Sequence, residues 1–450
     1  MIFNINLGFG LFDIMYYNKN TMETKAWVIS INMGYGHQRT AYALMDLAVD
    51  QKIINANNYE GIPKKDKALW EGSRKFYEFI SRFKKTPIIG EWIFDLYDKT
   101  QKIFDFYPKR DLSADNFIQR NTYALLAKGW GRHLIRKLSP GRNEKAKPII
   151  STFFIPAFMA EYFRYPGDIY CVVCDADISR SWAPLIPQKT RIKYLVPNER
   201  TKQRLMLYGV PNENIFLTGY PLPMSTIGNE NMSLLKYDIR NRLANLDPQK
   251  KYEKDYASLI KFNFGGLPLN SDHPLTIMFA VGGAGAQKEM GIELLRQFKN
   301  KIAAREMKII LVAGTKMKIK QYFDEEIKKL QMEKFKNIEV LFAPEFRDYF
   351  DAFNQSLSKA DILWTKPSEL SFYSALGIPI IIAPTIGSQE DFNKEWLLAK
   401  GFGVEQKDIK YAYQWIFDWL REGYFAEMAV EGFAEGEQLG VLKIKQIISN

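Results

Sequence analysis

Two series of short apolar segments, rich in β-branched residues and separated by stretches with helical periodicity, run through the chain. The first series lies at Ala26–Ile31, Pro148–Ser151, Ile169–Cys174, Ile192–Val196 and Ile215–Thr218. The second lies at Leu275–Val281, Met307–Ala313, Ile338–Phe342, Ile362–Trp364 and Ile378–Ala383. Strands that are apolar throughout and alternate with helices are typical of parallel sheets covered on both faces. The pattern predicts an α/β protein with two doubly wound, Rossmann-like domains.

The two series are separated by a polar stretch that runs from about residue 225 to residue 272 and includes the charged sequence DPQKKYEKDY. Its lack of periodicity predicts a linker with an insertion. Ligands of doubly wound sheets bind outside the carboxyl ends of the strands, so we expect the site in a central cleft between the domains. The expected divisions are an extension (1–21), an N-terminal domain (22–224), the linker and insertion (225–273), a C-terminal domain (274–425) and a C-terminal helix (426–450).

The first 21 residues are apolar and aromatic, but they have no basic start and no small-residue cleavage site, which makes a signal peptide a poor interpretation. Met22 opens METKAWVIS and is an alternative start. No run of eighteen apolar residues occurs, so no transmembrane helix is expected. We expect a cytoplasmic protein, because Cys171 and Cys174 are the only cysteines and exclude a disulfide framework.

Residues 60–145 are expected to form a helical insertion. Its segment KFYEFISRFKKTPIIGEWIFDLYDKTQKIFDFYPKR interleaves aromatic with basic residues, and the 450-residue chain carries a formal net charge of +11. The segment favours either ordinary amphipathic helices with aromatics in the core or an element on an anionic membrane surface. We do not favour a nucleic-acid partner, because no recognised binding module accompanies the charge.

Metal chemistry is not expected. Cys171 and Cys174 lie three residues apart on a predicted strand and should point to opposite faces. The chain has three histidines in all, too few for a histidine cage. We therefore predict no metal and no cofactor.

Two glycine-rich turns follow predicted strands and precede predicted helices. Gly34 and Gly36 lie in Met33-Gly-Tyr-Gly-His37, and Gly282, Gly283 and Gly285 lie in Val281-Gly-Gly-Ala-Gly-Ala286. Such turns let main-chain amides and a helix N-terminus approach an anion. His37 is a candidate base or phosphate donor, and a tight turn with a capping histidine is the alternative. The second turn predicts a diphosphate site, or else a purely structural turn.

Two polar turns follow the last predicted strands. In the first, Lys366 and Ser368 are candidates for phosphate contact and Glu369 for sugar or ribose hydroxyls, with compensation of the helix dipole as the alternative for Glu369. In the second, amide and carboxylate groups suit a polyhydroxylated sugar, and an N-terminal cap cluster is the alternative. The candidates there are Gln389, Glu390 and Asn393.

The order of these motifs resembles the glycosyltransferases of GT-B architecture over most of residues 24–224 and 274–405. The most similar branch holds monogalactosyldiacylglycerol synthases, processive diacylglycerol glucosyltransferases and the peptidoglycan-lipid N-acetylglucosaminyltransferase. Gly34-Tyr-Gly-His37 is similar to the turn that opens the acceptor domain of that group, and Cys174-Asp175 with Trp182 resembles its Thr-Asp…Trp strand end. YLVPNERTKQRLMLYGVPNENIFLTGYPL and GSQEDFN resemble two further family passages, and the aromatic insertion resembles the helices before the lipid-acceptor region.

The resemblance implies transfer of a sugar from a nucleotide-sugar, usually uridine diphosphate (UDP)-linked, to a lipid acceptor at the inner face of the membrane. Transfer would be inverting and independent of metal. Either His37 or Asp175 would be the base. A nucleotide-sugar epimerase on the same architecture and a catalytically silent binding protein are the alternative functions.

The chain also departs from the family. Where the family has Gly-Gly-Leu after Lys-Pro, this chain has Ser368-Glu369-Leu370, and Ser374 replaces the glutamate that binds ribose. The family's histidine after Thr-Asp is Ser179 here, with Arg180 beside it. These differences alter the expected nucleotide pocket.

Overall fold

Two six-stranded parallel sheets form the framework in the computed structural model, which describes residues 24–72, 103–280, 285, 287–385 and 388–449. The first sheet contains β1 (Trp27–Ser30), β2 (Ile54–Asn55), β3 (Ile149–Ser151), β4 (Ile169–Val172), β5 (Lys193–Val196) and β6 (Ile215–Leu217). The second contains β7 (Leu275–Ala280), β8 (Met307–Gly314), β9 (Ile338–Phe342), β10 (Ile362–Thr365), β11 (Ile380–Ile382) and β12 (Gly403–Glu405). The predicted α/β class with two parallel sheets is confirmed.

Helices connect the strands and cover both sheets. The first half has α1 (Tyr35–Ala43), α2 (Phe117–Ala127), α3 (Arg132–Leu138), α4 (Phe154–Tyr162), α5 (Glu199–Leu207) and α6 (Met224–Ile227), and residues 64–72 are also helical. The middle has α7 (Ser233–Leu246), α8 (Lys251–Asp255), α9 (Ala257–Phe264), α10 (Lys288–Ala303), α11 (Met317–Lys329) and α12 (Phe346–Leu357). A 3₁₀ helix (Glu369–Leu376) precedes α13 (Ser388–Ala399), α14 (Ala412–Arg421), α15 (Tyr424–Glu435) and α16 (Gly440–Ser449). Three-residue 3₁₀ turns lie at Met45–Leu47, Val49–Gln51, Arg180–Trp182, Pro187–Lys189, Asn212–Asn214 and Ile409–Tyr411.

The strand orders give each sheet one point at which the direction of winding reverses. The first sheet has the order β2-β1-β3-β4-β5-β6, and the reversal lies between β1 and β3. The second has the order β12-β11-β10-β7-β8-β9, and the reversal lies between β7 and β10. Loops diverge there at the carboxyl ends of the strands and leave a crevice for a ligand.

Ten strands coincide with predicted segments, whereas the edge strands β2 and β12 were not predicted. Each has only two or three residues, and each includes a polar residue, Asn55 or Glu405. Such short, half-polar strands carry no recognisable alternation.

The expectation of irregular structure in the linker region is wrong for most of residues 233–264, which form α7, α8 and α9. Helix α7 buries Leu235, Ile239, Leu243 and Leu246. This apolar spacing of three to four residues is a helical period, so the missed signal was present in the sequence.

The C-terminal segment forms two helices and returns to the first sheet. The chain breaks between α15 and α16, and α16 buries Val441, Ile444 and Ile448 in a cluster that includes Val28 and Ile150. The first sheet therefore has one face covered in part by residues that follow the whole second sheet in the chain.

Residues 75–102 of the aromatic and basic segment proposed for the membrane surface lie outside the described residues. Within the described ranges, no helix combines the length and the apolar character needed to cross a bilayer.

We predict that Ile444→Ala lowers the free energy of unfolding by about 2–5 kcal/mol, because it leaves a cavity between α16 and the first sheet. Denaturant titration followed by circular dichroism measures the change. The matched control is Gln446→Ala, an exposed position on the same helix. Equal stability of the two variants would mean that α16 does not dock on the sheet.

Candidate functional site

The candidate site is built from the first residues after four strand ends. Helix α1 begins at Tyr35 after β1, and Asp175 follows β4. On the other side, the 3₁₀ helix beginning at Glu369 follows β10, and α13 follows β11. Because carboxyl ends of parallel strands share one edge of a sheet, each domain collects its polar turns at one edge.

The turn from β1 into α1 depends on glycine. Gly34 has a φ of 140°, a backbone conformation that side chains other than glycine rarely adopt. A Cβ atom at Gly36 would lie 3.1 Å from Oε2 of Glu369, so the second domain approaches the main chain of α1 directly. Gly34 therefore permits the backbone of the turn, and Gly36 permits the close approach of the opposite domain.

A buried ion pair joins the two domains beside this turn. Arg39 is 1% exposed, and its Nε donates to Oε1 of Glu369 over 3.2 Å. Its terminal Nη2 donates to the hydroxyl of Tyr349 over 3.1 Å. Removing two charges from water is costly unless they pair and bond well, so this contact requires close approach of the domains.

An aromatic cage surrounds the guanidinium of Arg39. The ring centroids of Phe353, Phe350 and Tyr349 lie 4.1, 4.9 and 5.6 Å from its central carbon, and that of Tyr373 lies at 5.8 Å. Cation–π attraction strengthens when both partners are desolvated, as they are here. A cation of the N-terminal domain is thus held in a pocket of the C-terminal domain.

Sequence reasoning missed Arg39. It occupies the position at which the dinucleotide-binding spacing Gly-x-Gly-x-x-Gly has its third glycine. Its partners are 330 residues away for Glu369 and 310 for Tyr349. No local signal reports a contact at that separation, although Glu369 itself was a predicted site residue.

His37 faces the reversal point of the first sheet. Its Nδ1 lies 2.7 Å from the main-chain carbonyl oxygen of Thr152, to which it donates. That bond leaves Nε2 as the nitrogen that accepts a proton. Burial lowers the pKa of His37 to about 4, outweighing smaller upward effects of the Thr152 bond and of Glu369, so the ring is neutral at pH 7. No side chain caps α1, so the capping interpretation of His37 is wrong.

Asp175 follows Cys174, whose sulfur lies beside the ring of His37, and it is bonded by the opposite domain. Nδ2 of Asn393 donates to Oδ1 of Asp175 over 3.3 Å, and Oδ1 of Asn393 accepts from the amide of Ala176 over 2.8 Å. Asn393 is 1% exposed and is the sixth residue of α13, so it is not a cap residue. Burial raises the pKa of Asp175 to about 6, although the Asn393 bond lowers it and nearby Glu369 and Glu390 raise it.

The remaining donor-side residues form a second ion pair. Nζ of Lys366 pairs with Glu390, and both side chains are mostly buried. Ser368 directly precedes the 3₁₀ helix and has extended backbone angles. Gln389 lies in the first turn of α13 and is partly buried.

The second glycine turn is described only in part. Gly282 and Gly283 lie outside the described residues. Gly285 has a φ of 70°, and a Cβ atom there would lie 2.5 Å from Cδ1 of Ile319. Glycine is thus required at 285 by both conformation and packing.

Ser374 and Arg180, which lie at positions that differ from the family, form hydrogen bonds within their own domains. Ser374 is 1% exposed, and its hydroxyl donates to the carbonyl of Ser371 over 2.8 Å. The guanidinium of Arg180 donates to the carbonyls of Ser113 and Ala183, each over 2.8 Å. Of the residues at these altered positions, Glu369 is the one placed against the opposite domain.

The two cysteines are free and buried. Strand β4 ends at Val172, so the alternation expected across Cys171 and Cys174 stops before the second cysteine, and both lie in one core cluster. Burial raises the pKa of both thiols. Sγ of Cys174 lies 3.4 Å from Nδ1 of His37, where it packs beside the ring. Among the described residues no group of three or more His, Cys, Asp or Glu side chains is placed to hold a metal ion.

The architecture consists of two parallel sheets, each with one point at which the winding reverses. Polar turns from both sheets meet across one cleft. The chain has a two-domain, Rossmann-like α/β fold. The structure brings together His37, Asp175, Glu369, Glu390 and Asn393 from both halves of it. The fold therefore supplies candidate acids and bases, an amide that spans the cleft and two ion pairs at its edge.

A family model described as a domain of unknown function (DUF6938) matches residues 268–423. No curated protein matches the chain by sequence.

Several solved structures resemble the chain. MurG from Acinetobacter baumannii has a TM-score of 0.45 at 14% identity, covering 94% of this chain and 99% of that one. A glycosyltransferase from Rickettsia africae scores 0.41 at 15% identity, covering 96% and 99%. A putative UDP-N-acetylglucosamine 2-epimerase from Listeria monocytogenes scores 0.42 at 12% identity, covering 73% and 76%. All three TM-scores are below 0.5, so these similarities carry no conclusion about what this chain binds.

We predict that Arg39→Met lowers the free energy of unfolding by about 3–5 kcal/mol, because it leaves the buried Glu369 carboxylate without its partner. The double variant Arg39→Met/Glu369→Leu should recover much of that loss, because no charge then stays buried. Chemical denaturation of both single variants and the double variant forms a double-mutant cycle. Additive losses would show that the two side chains do not interact.

Proposed function

We propose that the protein is a glycosyltransferase that moves a sugar from a nucleotide-sugar, UDP-linked in the simplest case, to a hydroxyl group of a lipid acceptor. The N-terminal domain takes the acceptor and the C-terminal domain takes the donor. Transfer inverts the anomeric carbon and uses no metal ion. The enzyme acts as a peripheral protein on the cytoplasmic face of the membrane.

One observation carries the proposal: Asn393 of the donor-side helix bonds both Asp175 and the amide of Ala176 on the acceptor side. A transferase must bring the donor carbon and the acceptor hydroxyl within bonding reach, which requires a closed cleft. Asn393 supports that requirement because it fixes a carboxylate of one domain from a helix of the other. A pair of domains that only bound ligands separately would have no need of this bond.

Asp175 is the base in this proposal. Both Asp175 and His37 are unprotonated at pH 7, since their pKa values are about 6 and about 4. A general base works best when its pKa is near the operating pH, and this favours Asp175. The neutral ring of His37 lines the acceptor side of the cleft in this scheme and takes up no proton.

The reaction proceeds in one displacement. The acceptor oxygen forms a bond to the anomeric carbon as the bond from that carbon to the diphosphate oxygen breaks. The hydroxyl proton passes to Asp175, and the electron pair leaves with the nucleoside diphosphate. Main-chain amides of the 281–286 turn and the start of α10 are proposed to stabilise the leaving charge.

The two ion pairs at the cleft belong to the donor side of this scheme. Lys366 pairs with Glu390, so phosphate binding by Lys366 exchanges a carboxylate for a phosphate oxygen. Ser374 occupies the position of the family's helix glutamate. Glu369, which pairs with Arg39, is proposed to bind the ribose hydroxyls in its place.

The decisive test is release of UDP from UDP-glucose, UDP-galactose and UDP-N-acetylglucosamine, with diacylglycerol in detergent micelles present or absent. We expect acceptor-dependent release of UDP and a glycolipid product with the inverted anomer. Conversion of the donor to an epimer without an acceptor would replace this proposal with an isomerase. Binding without any turnover of all three donors would indicate a silent binding protein.

The pH dependence of kcat/KM separates the two candidate bases. With Asp175 as base, the activity is present above pH 6 and is lost as the pH falls through about 6, because the carboxyl group takes up a proton. With His37 as base, the activity would persist down to a pH of about 4.

We also predict that Asp175→Asn lowers kcat by about 10²–10⁴, because it removes the proposed base. A full-rate Asp175→Asn enzyme would exclude this carboxylate.

Exposed aromatic and basic residues support a membrane-facing surface on the N-terminal domain. Tyr107 is 70% exposed and Phe117 is 72% exposed. Lys109 and Arg110 lie between them in the chain and are exposed as well. Aromatic rings enter the headgroup boundary, and each nearby cation adds about 1 kcal/mol on anionic lipid.

We predict that the double variant Tyr107→Glu/Phe117→Glu weakens co-sedimentation with vesicles of phosphatidylglycerol and phosphatidylcholine by at least about 10-fold. The matched control is Phe262→Glu, which alters a ring that is 88% exposed on α9. Binding should be strongest at low salt, where charges are least screened. The opposite ranking of the two variants would place the membrane contact on α9 instead.

A further inference from the structure

A cavity of about 300 Å³ lies away from the cleft, between α7 and α12, with α6 at its rim. Its inner wall includes Asp238, Arg242 and Asn354, and leucine side chains supply an apolar wall. Ser225 and Gln355 are exposed at the rim. The volume is at the lower end of the range for small-molecule sites.

Asn354 is the feature in this cavity that calls for a ligand. The residue is 6% exposed, and neither its Nδ2 nor its Oδ1 has a hydrogen-bond partner among the described residues. A buried amide left unpaired is costly, so such groups normally meet a protein group, a water or a ligand. The amide offers two donors and one acceptor to whatever occupies the space.

Asp238 faces the same space. Its side chain is buried, and no described residue donates a hydrogen bond to it. Burial raises its pKa to about 6, while Arg242 and Lys359 lower it, so at pH 7 it is chiefly an acceptor.

Arg242 is not available to bind an anion in the cavity. Its Nε donates to the carbonyl of Ala360 over 2.7 Å, and its terminal nitrogens donate to those of Leu376 and Leu357 over 2.8 and 3.1 Å. The charge of Arg242 offsets that of Asp238. Its guanidinium nitrogens already donate to main-chain carbonyls, so they do not bind a phosphate or a carboxylate.

The hydrogen-bond donors and acceptors of Asn354 and Asp238 determine which class of ligand fits the cavity. An ammonium ion has donors alone and would leave Nδ2 of Asn354 unpaired. A phosphate ion has acceptors and a charge that Asp238 and the rim residue Asp351 repel. A hydroxyl group both donates and accepts, so a molecule with two or more hydroxyl groups satisfies Asp238 and both atoms of Asn354. The leucine wall suits the C–H face of a sugar ring.

We propose that this cavity is a binding site for a neutral, hydroxyl-rich molecule of monosaccharide size, with Asn354 and Asp238 as its polar contacts. The site is independent of the proposed transfer reaction. It touches the cleft through α12, because Asp351 accepts a hydrogen bond from Tyr42 of α1, and the same helix carries Phe350 and Phe353 of the Arg39 cage.

The test is calorimetric titration of the full chain with glucose, N-acetylglucosamine and myo-inositol, in the presence of saturating UDP so that the cleft is blocked. Ethylammonium and inorganic phosphate are the negative probes. We expect at least one of the three polyols to bind and neither ion to do so. Binding of the ions in place of the polyols, or of none of the probes, would overturn the proposal, and the last result would leave only water in the cavity.

Two variants locate the binding. Asn354→Leu should weaken the polyol about 10- to 100-fold, since it removes both amide contacts. It is expected to fold, because an unpaired buried amide is replaced by an apolar group of similar size. Asp238→Asn is the second variant, and Gln355→Leu at the exposed rim is the control that should bind normally. Undiminished binding by both Asn354→Leu and Asp238→Asn would refute the site. Loss of turnover in Asp175→Asn with intact polyol binding would keep this site separate from the proposed reaction.

Discussion

The contact on which the closed arrangement depends is the insertion of Arg39 into the opposite domain. A guanidinium group that is 1% exposed sits among four aromatic rings and meets Glu369. Each component is unfavourable alone, since a buried cation needs a partner and a buried carboxylate needs a donor. Together they exist only when α1 and α12 touch. Arg39 therefore helps to fix the relative position of the two sheets, and with it the positions of the cleft residues.

The location of the site follows from parallel topology. Both sheets reverse their winding at one place, and the polar turns gather at the carboxyl ends of the strands there. Asn393 lies 217 residues from Ala176 in the chain and still bonds its amide. A site assembled in this way needs no continuous sequence motif. Each motif alone is therefore weak evidence for a ligand site, whereas the motifs taken together indicate one.

Ten strands were predictable because runs such as Leu275–Ala280 are apolar throughout and bounded by turn residues. The polar segments after β10 and β11, which contain Glu369 and Asn393, were predictable for the same reason. The partners of these residues were not predictable. The ion pair of Arg39 with Glu369 and the hydrogen bond from Asn393 to Asp175 join residues that are hundreds of positions apart in the chain. Hydrophobic periodicity reports which face of an element is buried, and it contains no information on which distant element covers that face.

The return of α16 to the first sheet has a consequence for synthesis on the ribosome. Ile444 and its neighbours complete one face of the N-terminal sheet, yet they are translated after every strand of the second sheet. The N-terminal half therefore leaves the exit tunnel with apolar surface that stays open until the second sheet has been made. Nascent chains in that state expose sticky surface and are natural clients of chaperones. Covering the first sheet with the last helix of the chain therefore leaves apolar surface exposed for a long part of translation.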